Sequence, residues 1–381
     1  MEREMLLTAT TFQVHSYIPH DIAFSILSKL SLKSFKRFQS VCKSWSLLFD
    51  DPNFMNMYRK SFLAKDSSYY DDKSLLLHLV GEDFHHHLFS LSGEWFVKLK
   101  LLKPPFNPNH FEILGSVSIN GVLCLRVKSI YNEGKIVILW NPTTEEYKQV
   151  PSSLSESISI GRNDGFVDYI IGYDRVKDDY KVVQIRYVSA WRIYREIYSL
   201  NSNSWKKLDV DISISIYNNV NRHKIYIDGV CHWWNKDGIQ SYLVSFDFSR
   251  ESVIKTFMPS HVDDKLAGLS SCMVSKKLMI LNGSIAFISN YLKMSTFHIS
   301  ILGEVGVKES WTKLFVVGRL PCLKYFVGAG KNDKMLFTRK DKELVWFDLN
   351  TGMIDKVGVK ALSSRCSLLF HRESILPIRG I

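Results

Sequence analysis

A turn dipeptide followed by an apolar run occurs at Asn120-Gly121, Asp228-Gly229 and Asn282-Gly283, at intervals of 108 and 54 residues. Fifty-four therefore fits as a repeating unit. The same step from Asn120 lands on Asp174 in IIGYDRVKDDYKVV, and the step past Asn282 lands beside Lys334-Met335-Leu336, which also opens a strand. A second element recurs as an aromatic-bearing strand, a polar turn and a closing strand, at 138–151, 197–208, 243–259 and 344–359. Between 110 and 370 no segment of helical period exceeds two turns, so this region reads as all-β. Four-stranded repeats of this length cannot bury both faces alone and stack on their neighbours, which points to a propeller. About 310 residues at ~50 per blade give roughly six blades, with a distorted or incomplete ring as the alternative that the irregular spacing leaves open.

Ahead of the repeats the period changes. In YIPHDIAFSILSKL, Pro19 stands where a helix starts and Asp21 in its first turn favours the helix dipole. Ile22, Ile26, Leu27 and Leu30 then recur at helical spacing, and Leu32, Phe35, Phe38, Val41, Cys42, Trp45 and Leu48 continue it, with a break near Gln39–Ser40. Asp51-Pro52 signals another helix start. Three or four short helices in so few residues bury little by themselves and leave apolar side chains in need of cover. The chain thus divides into a disordered N-terminus (1–16), a helical domain (17–64), a linker (65–74) and a β domain (75–378).

Composition narrows the classes. Of 381 residues, 46% are hydrophobic and 23% charged, as in a protein with a buried core, and no apolar run is long enough to span a membrane. The first residues, MEREMLLTATTFQVHSY, lack the apolar core of a signal peptide. The six cysteines include no CxxC pair and none lies within forty residues of another, so they read as reduced, mostly buried thiols of a cytoplasmic or nuclear protein. The formal charge of +11 is spread through both halves, which describes a solvated surface better than a phosphate-binding patch.

Ile18-Pro19-x-Asp21-Ile22, Ile26-Leu27-x-x-Leu30, Lys33-Ser34-Phe35-x-Arg37-Phe38, Val41-Cys42-Lys43-Ser44-Trp45-x-x-Leu48 and Asp51-Pro52-x-Phe54 together resemble an F-box. Ser31 stands where that motif usually has proline, and Ile18 where leucine is commoner. Downstream, ILGSVSINGVLCL, ILWNPTTEEYKQVP, IIGYDRVKDDYKVVQI, EIYSLNSNSWKKL, IDGVCHWW, VSFDFSRE, GVKESWTKLF and LVWFDLNTG are similar to the F-box-associated domain of the large plant F-box family, in the same order. The paired glycines of true kelch repeats are absent, so the domain is kelch-like at most. The resemblance implies a multidomain α+β chain, a helical F-box followed by an all-β propeller. It also implies a substrate receptor of a Skp–cullin–F-box ubiquitin ligase. Its helices would bind a Skp-type adaptor, and through it cullin and RING subunits, while the β domain holds an unknown target protein. Carried over by the resemblance, the adaptor-binding residues are Ile18, Pro19, Ile22, Ile26, Leu27, Leu30, Val41, Cys42, Lys43 and Trp45.

Chemistry of its own is thinly supported. Cys42 beside Lys43 has no histidine between His20 and His78 to act as its base, and its helical spacing makes it a packing residue. Three consecutive histidines at 85–87 would alternate faces on a strand and so make a poor metal site. GAGKNDK (328–334) lacks phosphate-loop spacing, GxSxG is absent, and Asp178-Asp179 and Asp263-Asp264 read as solvated turn residues. No catalytic residue, cofactor or metal is therefore assigned. Asn282-Gly283-Ser284 fits a glycosylation acceptor but, without a signal peptide, carries no weight. The alternatives are a nucleic-acid binder reading KSFKRFQSVCKSW as a recognition helix, and a scaffold propeller outside ubiquitination. Target recognition is expected on loops at one face of the β domain, with 152–165, 189–195, 213–222 and 282–294 as candidates.

Overall fold

The computed structural model describes residues 19–30, 34, 37, 41, 43–47, 51–64, 73–81, 85–92, 98–104, 111–128, 135–155, 166–189, 192–212, 224–237, 240–260, 262, 274–291, 294–318, 320, 322–361 and 366–378. The chain forms two compact units, divided between Lys65 and Asp66.

The first unit is helical. Helix α1 (His20–Leu27) begins directly after Pro19, whose φ of −51° suits entry into a helix. A short helix α2 (Lys43–Ser46) follows, and then α3 (Pro52–Ala64). Asp51 caps α3: its Oδ1 accepts hydrogen bonds from the amides of Asn53 (2.8 Å) and Phe54 (3.1 Å), and Pro52 occupies the first helical position, where no N–H is needed. Phe54, Tyr58 and Phe62 recur every four residues along α3 and are buried, with the ring of Phe24 edge-on to Phe54 at 5.5 Å.

The second unit is six four-stranded antiparallel sheets. The first contains β1 (Lys73–Val80), β2 (His86–Ser92) and β3 (Lys98–Leu102). The next three are β4 (Phe111–Ile113), β5 (Leu123–Lys128), β6 (Lys135–Trp140) and β7 (Tyr147–Val150); β8 (Phe166–Asp174), β9 (Asp179–Ser189), β10 (Arg192–Ser199) and β11 (Ser204–Lys207); and β12 (Ile225–Ile227), β13 (Val230–Asp237), β14 (Gln240–Asp247) and β15 (Ser252–Phe257). The last two are β16 (Val274–Leu281), β17 (Ser284–Tyr291), β18 (Thr296–Leu302) and β19 (Trp311–Val317); and β20 (Leu323–Ala329), β21 (Lys334–Arg339), β22 (Glu343–Asp348) and β23 (Ile354–Lys360). The fourth strand of the first sheet is β24 (Ser367–Arg372), which pairs antiparallel with β1. One C-terminal and three N-terminal strands thus complete blade 1 and close the ring.

The repeating dipeptides are the turns between the first and second strands of blades 2, 4 and 5. Asn120, Asp228 and Asn282 have φ of 51°, 49° and 49°, and the glycines after them 87°, 87° and 80°. Two consecutive residues at positive φ make the tight hairpin turn that Asn-Gly and Asp-Gly favour. Asp174 opens the corresponding turn of blade 3, and Asn332 and Asp333 (φ 54° and 55°) form that of blade 6. GAGKNDK is this last hairpin, with the Gly330 amide donating to the Lys334 carbonyl at 2.7 Å. The second recurring element is the hairpin between the third and fourth strands, as in β6–β7, β10–β11, β14–β15 and β22–β23.

Blade faces bury against one another. Leu75, Leu77 and Leu79 of blade 1 share a core with Val327, Leu336 and Trp346 of blade 6, while Leu76 and Leu88 pack with Leu123, Leu125 and Trp140 of blade 2. Equivalent cores join blades 3 and 4, 4 and 5, and 5 and 6. The tail after β24 returns across blade 2, where buried Asn141 donates to the carbonyls of Ser374 (2.9 Å) and Leu376 (3.2 Å). Gly121 allows this approach, since a Cβ there would lie 2.4 Å from the Ser374 Cβ. In GVKESWTKLF, the Gly306 amide donates to Thr256 Oγ1 of blade 4 at 2.7 Å, and Trp311 fills the core between blades 4 and 5.

Candidate functional site

On α1 the apolar residues divide between two faces. Ala23 and Leu27 are buried, whereas Ile22 and Ile26, one turn apart, are 49% and 52% exposed. Pro19, Val41 and Lys43 are also exposed, and Leu30 and Trp45 are half-buried. Ile18 and Cys42 lie outside the described residues. Leu27 thus supplies core, and the apolar surface of the unit comes from Ile22, Ile26 and Val41, joined by Leu47 and Met57, which sequence reasoning missed. The buried stripe Phe54-Tyr58-Phe62 carries the signal for Met57, which falls one residue off it and so turns outward. Large exposed aliphatic side chains on so small a unit are what a partner surface would cover.

In the propeller, several residues expected at the surface are structural. Asp179 is buried and accepts from Ser199 Oγ at 2.5 Å and the Asn201 amide at 2.9 Å, tying two hairpins together instead of facing water. Ser153 and Ser155, in a segment expected to read targets, are turned inward, Ser155 Oγ donating to Glu196 Oε2 at 2.6 Å. Residues 284–291 are the core strand β17, so most of the 282–294 segment is strand, not loop. Residues 156–165 and 213–222, and the pair Asp263-Asp264, lie outside the described residues.

No described group of three or more His, Cys, Asp or Glu side chains is placed to hold a metal. His86 Nδ1 instead lies 3.0 Å from Nε2 of buried His78 on the neighbouring strand. His232 Nδ1 and Ser245 Oγ are 2.8 Å apart, the spacing of a base and its nucleophile, but their residues are only 3% and 1% exposed and no substrate reaches them. Burial pushes the Cys231 and Cys366 thiols up to about 12, which removes them as nucleophiles at neutral pH.

A helical unit with apolar side chains turned outward, joined to a closed six-bladed propeller, defines a propeller protein with a separate N-terminal helical module. Residues 85–370 match the F-box associated beta propeller domain and residues 16–56 the F-box domain. The chain belongs to the F-box associated beta propeller family. It is similar to F-box protein CPR1 of Arabidopsis thaliana, 25% identical with 92% of this chain and 86% of that one covered. The putative F-box protein At3g25460 (25%; 95% and 98% covered) and the F-box/kelch-repeat protein At3g23880 (25%; 81% and 82% covered) of the same plant are further relatives. An F-box joined to this propeller is the domain pairing of the substrate-receptor family of Skp–cullin–F-box ligases, whose members are typically non-catalytic.

Proposed function

We propose that this chain is the substrate-recognition subunit of a Skp–cullin–F-box ubiquitin ligase, working in the cytoplasm or nucleus. A Skp-type adaptor covers Ile22, Ile26 and their apolar neighbours and links the chain to cullin and RING subunits. The propeller holds a target protein, and ubiquitin transfer gains its rate from proximity, with no reacting group supplied by this chain. The observation that carries this reading is the outward pair Ile22 and Ile26, inside the segment that matches an F-box.

The test is co-purification of the full chain with a purified Skp-type adaptor. The double variant Ile22→Asp/Ile26→Asp should lose capture while changing stability by under ~0.5 kcal/mol per site, as exposed substitutions do. Leu27→Ala, at a buried site, should destabilise the helical unit by about 2–5 kcal/mol. Capture should persist as salt is raised, unlike phosphate-driven binding of nucleic acid. Failure of the wild type to bind, or equal binding by the double variant, refutes the proposal.

A further inference from the structure

The innermost strands of blades 5, 6 and 1 and the loop after β4 in blade 2 converge on a cavity of about 30 Å³, partly open to solvent. Lys277 of β16, Phe326 and Gly328 of β20, Ser367 and Leu368 of β24, and Ser116 line it. The buried lysines of the propeller have carboxylates. Lys181 lies 2.7 Å from Asp174 and 2.9 Å from Glu251, Lys224 2.6 Å from Asp168, and Lys334 3.8 Å from Asp355. Lys277 is different. Its Nζ donates to the Val327 carbonyl at 2.6 Å and lies over the Phe326 ring, 5.6 Å from its centroid, but no described carboxylate lies within 4 Å of it.

An ammonium has three protons to donate, and one carbonyl satisfies one of them without balancing the charge. Burial pushes Lys277 down to about 8, so the amine is still mostly protonated at neutral pH. Ser116 lines the same cavity, and its Oγ is buried with no hydrogen-bond partner among the described residues. Buried polar groups left over in this way ask for an explanation. Water could satisfy the hydroxyl but would leave the charge without a counter-ion. An oxyanion answers both.

We infer that Lys277 and Ser116 hold the carboxylate or phosphate group of a small ligand at the propeller axis. The cavity takes the anionic group, and its open side lets the remainder of the ligand extend towards solvent. The enclosed space is small, so only the anionic group enters it and the proposed carrier is a small molecule.

Calorimetric titration of the full chain with sodium phosphate and, separately, sodium acetate at constant ionic strength tests this. One equivalent of anion should bind saturably. Phosphate alone assigns a phosphorylated ligand and acetate alone a carboxylate; either supports the site. Lys277→Met should weaken binding at least tenfold and Ser116→Ala severalfold, while Lys324→Met, at an exposed position on the same strand as Phe326, should leave it unchanged. Should Lys277→Met fail to fold, Ser116→Ala carries the comparison. The inference is overturned if neither anion binds the wild type saturably, or if the folded variant binds as tightly as the wild type.

Discussion

Mild acid should unfold the propeller through three imidazoles that burial keeps neutral. Burial, and then the neighbouring charges of His86 and His87, push His78 down to about 3, and burial takes His232 and His371 down to about 4. These three residues are 7%, 3% and 3% exposed, so solvent does little to relieve the effect. In the unfolded chain each titrates near ~6.5. Because the native values are depressed, the unfolded state binds more protons between about pH 6.5 and 4; stability is intact above that window and falls as pH drops through it. Each unit of pH inside the window costs about 1.4 kcal/mol per group, so at pH 5.5 the three together cost roughly 4 kcal/mol. That is a large share of the ~5–15 kcal/mol that holds a typical domain folded. Lys277 stays protonated in both states throughout this window and adds no slope. Urea unfolding at pH 7.5, 6.5 and 5.5 can be followed by tryptophan fluorescence, since eight of the nine tryptophans lie after residue 65. The midpoint should hold from 7.5 to near 6.5 and then fall. His232→Gln/His371→Gln should remove about two-thirds of the fall, being two of three equal contributors. A flat midpoint between pH 6.5 and 5.5, or an unchanged fall in the double variant, would refute the reasoning.

Two further outcomes follow from packing and charge. Lys181→Met leaves Asp174, fully buried, without its cation, and should lower stability by about 3–5 kcal/mol; adding Asp174→Asn should recover part of the loss in thermal melts. Gly172→Ala would put a Cβ 2.0 Å from the ring of Phe248 in the core between blades 3 and 4, costing about 1–3 kcal/mol in denaturant unfolding. Relief by Phe248→Leu in the same chain would show that the clash is the cause.

Local features were legible in the sequence because local rules produce them. A tight hairpin turn needs two residues at positive φ, and Asn-Gly or Asp-Gly supplies them at low strain, so the 54-residue spacing marked equivalent turns before any contact was known. The cap of α3 was equally readable, since Asp51 and Pro52 meet the needs of its first turn unaided. Turn composition misled at Asp179, where an acidic pair that suits a solvated loop instead bonds to a serine and an amide twenty or more residues on.

Ring closure, the division of α1 into a core face and an outer face, and the isolation of Lys277 belong to the tertiary structure. β24 meets β1 across nearly three hundred residues, and no local pattern announces a partner at that distance. Ile22, Ile26 and Leu27 are chemically alike, so their spacing sets one apolar stripe without saying which members a neighbouring helix will cover. Lys277 looks like any other lysine of the chain until the ring closes. Only then do four blades put it on one cavity with Ser116, with no described carboxylate within 4 Å, because the surroundings of a charge are set by chain segments that sequence order keeps far apart.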